Sequence, residues 1–326
     1  MVETLPKGAK VVIDEIQKLP LLLDEIHAMI FDFEDRYKFA LTGSSARRLK
    51  KHKANLLAGR ALRRDFFGLT KAEMADDFNI EKVLTYGTLP QTLNLKTPEE
   101  KKDYLLSYVD QYLKEEVQAE AAVRNLSNYY KFLKHASIMN GQVLNLNAIS
   151  SETAVKRSTL DGYFNIVEET LLGTFVEPLH LRAKVKEVSN PKFYFFDCGV
   201  VRALRNDLDD PLKDDKGLLL ETFILNEIRA YSSYNQKNIE INYWGTPSEN
   251  EVDFILTKGQ KRIGIEVKAA KTWKDNFGKS LSQLMDHKKI SRGYGVYLGE
   301  HNIKNKGVSV LTIKSFCDQL FSGEMI

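Results

Sequence analysis

The sequence predicts an α/β multidomain protein, and three observations carry that prediction. Near the start, two short apolar strands, Lys10–Asp14 and Lys38–Thr42, alternate with helical patterns, as in an α/β layer. From about residue 91 to 171, apolar residues recur at helical spacing. Near the C-terminus, Glu251–Thr257 and Arg262–Lys268 alternate with period two around Lys258-Gly259-Gln260-Lys261, which reads as a hairpin with Gly259 at positive φ.

The 326 residues leave room for two or three domains. Hydrophobic content of 43% and charged content of 28% are those of a soluble globular chain. A net charge of +3 selects no partner, but its distribution is uneven. Ser44 to Arg64 holds eight basic residues (Arg47, Arg48, Lys50, Lys51, Lys53, Arg60, Arg63, Arg64) and no acidic one. Asp207–Asp215 is an acidic, Pro-containing stretch that reads as a loop. Cys198 and Cys317 form no CxxC, so a structural zinc site is not expected and the setting reads as reducing. No signal peptide and no bilayer-length apolar run is seen, which leads to the expectation of a cytoplasmic protein.

Taken in order, Lys10-Val-Val-Ile-Asp14-Glu15 is an apolar strand ending in two acids, as a buried parallel strand would be. Ligand sites in such sheets lie at the carboxyl ends of strands. Ile16–Phe33 reads as a helix broken early by Pro20, and Lys38–Thr42 as a second strand before Gly43-Ser44-Ser45. Tyr86-Gly87-Thr88-Leu89-Pro90 marks a turn. Glu99–Arg124 and Asn128–Asn140 read as helices whose aromatic stripes are packing surfaces.

Leu146–Ile149, the turn Ser150–Val155, and the run from Lys156 to Leu171 form a helix-turn-helix pattern. Lys156, Arg157, Ser158 and Thr159 stand at the start of its second helix, where phosphates and base edges are read. Thr174–Tyr194 supplies candidate wing strands. A plain protein-protein module is the competing reading, given Asp161, Glu168 and Glu169 nearby.

In the hairpin, a two-residue loop at Gly259-Gln260 pairs Asp253 with Glu266 and Glu251 with Lys268 on one face. Val252, Phe254, Leu256, Ile263, Ile265 and Val267 take the other. Two carboxylates face to face repel, and a divalent cation between them resolves the repulsion. Lys268 can then hold a water or a developing negative charge. An amphipathic hairpin with a solvated Glu251–Lys268 pair is the plainer reading, but it leaves Asp253 opposite Glu266 unexplained.

These residues resemble the PD-(D/E)xK, or restriction-endonuclease-like, nuclease core, although Val252 stands where that pattern has Pro. The resemblance implies Mg²⁺ held by Glu221, Asp253 and Glu266, with Lys268 assisting attack on a phosphodiester. Glu221 stands on the preceding helical segment, Leu218–Ile228.

The N-terminal segments resemble prokaryotic AAA+ ATPases. Val11–Glu15 is similar to Walker B, which would give Asp14 the Mg²⁺ and Glu15 the attacking water. Phe39–Ser45 is similar to a sensor 1 strand, with Thr42 near the γ-phosphate, and Gly59-Arg60 to the pair that follows. A helix N-cap is the plainer role for Asp14.

No GxxxxGK[ST] occurs. Gly278-Lys279-Ser280 lacks the first glycine, where Trp273 stands. The phosphate-cradling part of the ATPase is therefore expected upstream, as a missing partner segment. Weak ATP binding and no ATP hydrolysis by this chain alone is the corresponding expectation.

Tyr194-Phe195-Phe196-Asp197-Cys198-Gly199, the Glu221 helix, Glu251-Val252-Asp253 and Glu266-Val267-Lys268 follow the order seen in one large AAA+ family. Its C-terminal domain has no assigned function. The expected organisation is an AAA+ part over 1–90, a helical region with a winged helix over 91–188, and a nuclease-like domain over 189–326, with DNA as the partner. A non-catalytic nucleic-acid or protein binding module of an ATP-driven switch, or a truncated inactive ATPase, is the alternative.

Overall fold

A computed structural model describes residues 5–19, 21–33, 36–43, 61–62, 64–112, 126–153, 155–181, 187–212, 215–247 and 250–326. It is a mixed α/β structure. β1 (Ala9–Ile13) and β2 (Tyr37–Leu41) pair in parallel, joined through a 3₁₀ turn at Ile16–Lys18 and α1 (Leu22–Asp32). Ile16, Leu23 and Ile26 form a separate small cluster. The expected burial of the first strand is not met, since Val12 is 68% exposed. Among the described residues this sheet has two strands, too few to enclose a core.

A helical layer follows. It comprises α2 (Lys71–Met74), α3 (Ile80–Tyr86), α4 (Pro90–Asn94), α5 (Pro98–Ser107), α6 (Leu126–Ile138), α7 (Leu146–Thr153) and α8 (Arg157–Glu169). Thr70 with Glu73, and Thr97 with Glu100, close reciprocal caps at the starts of α2 and α5. The long helix expected over 99–124 is described only through a π-helical turn at Tyr108–Tyr112.

The remaining elements are β3 (Gly173–Pro178), β4 (Lys192–Phe195), α9 (Cys198–Arg205), α10 (Lys216–Tyr234), β5 (Glu240–Gly245), β6 (Glu251–Lys258), β7 (Lys261–Lys268), α11 (Lys279–Asp286), β8 (Arg292–Tyr297), β9 (Ile303–Asn305), β10 (Val308–Thr312) and α12 (Ile313–Phe321). All eight strands join one sheet in the order β4-β3-β5-β6-β7-β8-β10-β9. The strands expected as a wing are therefore sheet strands: β4 is its edge, and β3 pairs in parallel with β5. The sheet thus runs across residue 188.

α10 is apolar nearly all round and buried along most of its length, the pattern of a central core helix. Its residues share the main cluster with Phe254, Leu256, Ile263 and Ile265. α11 covers the other face. A Cβ at Gly264 would lie 2.6 Å from Leu281 and 2.8 Å from Ile290, while its strand neighbours point to the α10 side.

The hairpin register is the expected one, from Phe254 opposite Ile265 to Lys258 opposite Lys261, with Gly259 at φ 58°. Beyond Phe254 it changes. Against β5, Asn242 pairs with Ile255 but Trp244 with Val252, so β6 carries one extra residue at Asp253-Phe254. This bulge corrects the expected facing, because Val252 packs with Ile255 and Leu281 and not with Phe254.

Candidate functional site

Asp253 sits on that bulge and is 4% exposed. Its Oδ2 accepts the Val267 N–H at 2.7 Å, which ties β6 to β7 where the regular ladder stops. Glu266 on β7 is 6% exposed, and its Oε2 is buried with no hydrogen-bond partner. Glu266 Oε1 pairs with Lys268 Nζ at 2.5 Å. Glu221 on α10 is 8% exposed and accepts the Tyr194 hydroxyl at 2.8 Å. The structure thus brings the buried Glu221, Asp253 and Glu266 into one cluster, with the partly exposed Lys268 paired to Glu266 at its margin.

A residue that the sequence pattern did not single out completes it. Lys192, the first residue of β4, is 4% exposed. Its Nζ bonds Glu251 Oε1 and lies 3.7 Å from Glu221 Oε2 and 4.0 Å from Asp253 Oδ1. The expected Glu251–Lys268 pair does not form, because Lys192 takes Glu251 and Glu266 takes Lys268. A lone lysine opening the aromatic run Phe193-Tyr194-Phe195 was the available signal, since a charge there must be paired once buried.

The electrostatics follow from crowding. Burial, then the Asp253 charge, raises the Glu221 carboxyl to about 8. The same two causes hold Glu266 well above the ordinary carboxylate range. Burial opposes the charge on Lys268, but Asp253 and Glu266 outweigh it and keep its pKa high. Lys192 behaves likewise: burial opposes its charge, and Glu221, Asp253 and Glu251 together overcome it.

Whether these residues suit a divalent cation can be judged on their chemistry. With all ionised, Glu221, Glu251, Asp253 and Glu266 oppose only Lys192 and Lys268. Four negative and two positive charges would leave a net of minus two, which the raised pKa of Glu221 and of Glu266 relieves by protonation. The donors are all oxygen, as Mg²⁺ requires, and Glu266 Oε2 is unpartnered. Among the described residues, however, no three acidic, histidine or cysteine side chains gather into a metal-holding group, and the Lys192 ammonium already lies between Glu221, Glu251 and Asp253. The donor atoms are of the kind Mg²⁺ takes, but the arrangement as it stands holds an ammonium.

At the N-terminal sheet, Ile13 and Leu41 are in register, so Asp14 and Thr42 leave the strand ends side by side. The Thr42 hydroxyl donates to Asp14 Oδ1 and accepts the Glu15 N–H at 3.2 Å. Asp14 therefore does not act as the helix cap. Glu15 opens the 3₁₀ turn at φ 55°, a left-handed conformation that a non-glycine residue adopts at a cost. Arg60 and most of the basic stretch lie outside the described residues.

Lys156, Arg157, Ser158 and Thr159 are all exposed at the start of α8. Arg157 donates to Asn147 Oδ1 at 3.2 Å, linking the two helices of the pattern. A Cβ at Gly278, which precedes Lys279-Ser280, would lie 3.2 Å from Val308, and Gly278 and Ser280 are buried at the lead-in to α11, so these two residues of the tripeptide belong to the core wall.

Residues 1–75 match the model of an AAA domain, residues 77–211 a domain of unknown function, DUF8612, and residues 216–316 another, DUF4143. Two uncharacterized proteins, Rv2008c of Mycobacterium tuberculosis and Mb2031c of Mycobacterium bovis, are each 22% identical over 299 residues. The match covers 89% of this chain and 65% of theirs, so the chain spans just under two thirds of these curated relatives. A crystal structure of protein VC1899 from Vibrio cholerae aligns over 98% of this chain and 90% of that one, at 12% identity and a TM-score of 0.24, too low to carry an argument. No helix among the described residues is long and apolar enough to cross a membrane. The N-terminal part of the chain thus matches an AAA domain, and most of the remainder matches two domains whose function is unknown.

Proposed function

We propose that the chain belongs to an ATPase-type, DNA-associated protein whose C-terminal domain is a Mg²⁺-dependent phosphodiesterase of the PD-(D/E)xK kind. The observation that carries this reading is the convergence of the buried Asp253 and Glu266 with Glu221 on the preceding helix and the partly exposed Lys268 beside them. The order α10-β5-β6-β7-α11-β8, an antiparallel meander with a parallel return strand, supports it.

Glu221, Asp253 and Glu266 would hold the ion, which when bound would polarise a phosphoryl oxygen and acidify a water. The ammonium of Lys268, held against Glu266 Oε1, would keep the attacking water or the developing phosphorane charge at its Nζ. Burial of the carboxylates excludes bulk water and strengthens each of these interactions.

DNA association is supported by the exposed Lys156, Arg157, Ser158 and Thr159 at the start of α8. A nucleotide role for the N-terminal part is supported by Asp14 and Thr42 standing together at the strand ends. ATP and the remaining ATPase segment would then be its cofactor and partner.

The test is cleavage of a labelled DNA duplex and single strand with Mg²⁺ and with Mn²⁺. Cleavage is expected to fall by at least about a hundredfold in Asp253→Ala and in Lys268→Ala. Undiminished cleavage in both would remove this site from the reaction. DNA retention with no cleavage under either ion would replace the reading with that of a binding module.

A further inference from the structure

Lys192 stands apart from every other lysine described here. It is 4% exposed, and its Nζ meets three carboxylates, Glu221, Glu251 and Asp253. The Tyr243 ring lies 5.5 Å from the same ammonium. It enters from β4, the edge strand of the sheet, while the acids come from α10 and β6. Its stem has four rotatable carbons, so the charge can leave without the strand moving.

Glu266 Oε2 meanwhile remains buried and unpartnered at the same cluster. One oxygen of the set is thus unpartnered while the Lys192 ammonium faces Glu221 Oε2, Glu251 Oε1 and Asp253 Oδ1. A divalent ion bound to Glu221 and Asp253 would stand within a few ångströms of the present Lys192 Nζ. Two cations that close in a buried setting repel, because little solvent screens them.

We infer that Lys192 is the resident cation of this carboxylate cluster, and that a divalent ion enters only by displacing its ammonium from Glu221 and Asp253. The inference rests on the phosphodiesterase reading for the choice of ion. In these terms Lys192 is a specificity-determining residue: it sets how tightly the site takes a metal, and it keeps the acids together when none is bound. Removing the charge while keeping the stem, as in Lys192→Met, leaves two carboxylates free for the ion.

The experiment measures Mn²⁺ binding to the full chain by electron paramagnetic resonance and Mg²⁺ binding by calorimetry, in wild type and Lys192→Met. Binding is expected to tighten by about tenfold or more in the variant, with a larger Mg²⁺-induced rise in melting temperature. Equal or weaker binding by a folded variant overturns the inference, and so does the absence of binding to both proteins.

Should the variant fail to fold, the wild-type chain answers alone. Saturating Mg²⁺ is expected to increase acylation of Lys192 by an amine-reactive reagent, read by peptide mass spectrometry. A Lys192 that stays equally protected while Mg²⁺ binds also overturns it. These readouts do not involve DNA, so tighter metal binding without cleavage would leave this inference standing and remove the phosphodiesterase reading.

Discussion

At Glu227 a carboxyl group is buried away from the cluster described above. It sits on α10 at 2% exposure, with Oε1 accepting the Lys71 N–H at 2.7 Å and the Cys317 thiol beside it. Burial raises it to about 7, against the smaller opposing effect of the Lys71 N–H. The folded state therefore keeps this proton through a range in which the unfolded chain, near 4.5, has released it. Because the native state binds more protons there, its stability falls as pH rises from about 4.5 to about 7. Glu227→Gln keeps an acceptor for Lys71 and removes the titration. In urea unfolding, the variant should gain stability relative to wild type across that window, by on the order of 3 kcal/mol at most. Parallel pH profiles for the two proteins would show that Glu227 does not titrate there. Helical spacing puts Glu227 and Glu221 on one apolar run, and only the resemblance to the nuclease core singled out Glu221.

Between elements, the turn after α3 is locked to the start of α9. Asp197 caps α9 by accepting the Val200 N–H at 3.0 Å, and its other oxygen accepts the Thr88 N–H at 2.6 Å. Gly87 has φ 75°, and a Cβ there would fall 2.0 Å from Asp197 Oδ1. A Cβ at Gly199 would fall 2.3 Å from the Tyr86 carbonyl oxygen. Asp197 and Gly199 of the Tyr-Phe-x-Asp-x-Gly segment are thus explained by packing, with no catalytic role needed. Gly87→Ala should lower stability by more than about 2 kcal/mol, from backbone strain and loss of the Asp197 contacts. A melting temperature within about two degrees of wild type would show that this junction yields more easily than the geometry implies. The acidic loop read from the sequence has a comparable structural use. Arg202 Nε donates to Asp207 Oδ1 at 3.1 Å and Arg205 to Asp215 Oδ2 at 2.9 Å, so these two acids pair with the arginines at the C-terminal end of α9.

Over the whole molecule, cohesion is uneven. One apolar cluster runs from Met74 in α2 to Ile326, crossing the helical layer and the eight-stranded sheet. Among its described residues the β1-α1-β2 unit has four buried hydrophobic residues, Ile16, Leu23, Ile26 and Tyr37, with Val12, Leu21 and Phe31 each at least 68% exposed. Opening free energy scales with the apolar contact a unit holds. Amide exchange should therefore be faster by orders of magnitude for Val11 and Ala40 than for Phe254 and Ile265, as measured by mass spectrometry or NMR. Equal protection of both sheets would mean that the N-terminal unit shares the stability of the main core.

The sequence by itself determined the local periodicities and their consequences. These include the parallel strand pair that ends in Asp14 and Thr42, the Gly259 turn, the register from Phe254 to Lys258, and the helix carrying Glu221 ahead of the hairpin. Each follows from spacing, turn chemistry or burial pattern within a few residues. The tertiary structure alone decided three things. A bulge at Asp253 moved Val252 to the other face. The candidate wing strands joined the main sheet. Lys192 came from 59 residues before Glu251 to stand among the acids. No local pattern encodes such choices, because a buried charge takes whichever partner the packing brings to it, however far away in sequence.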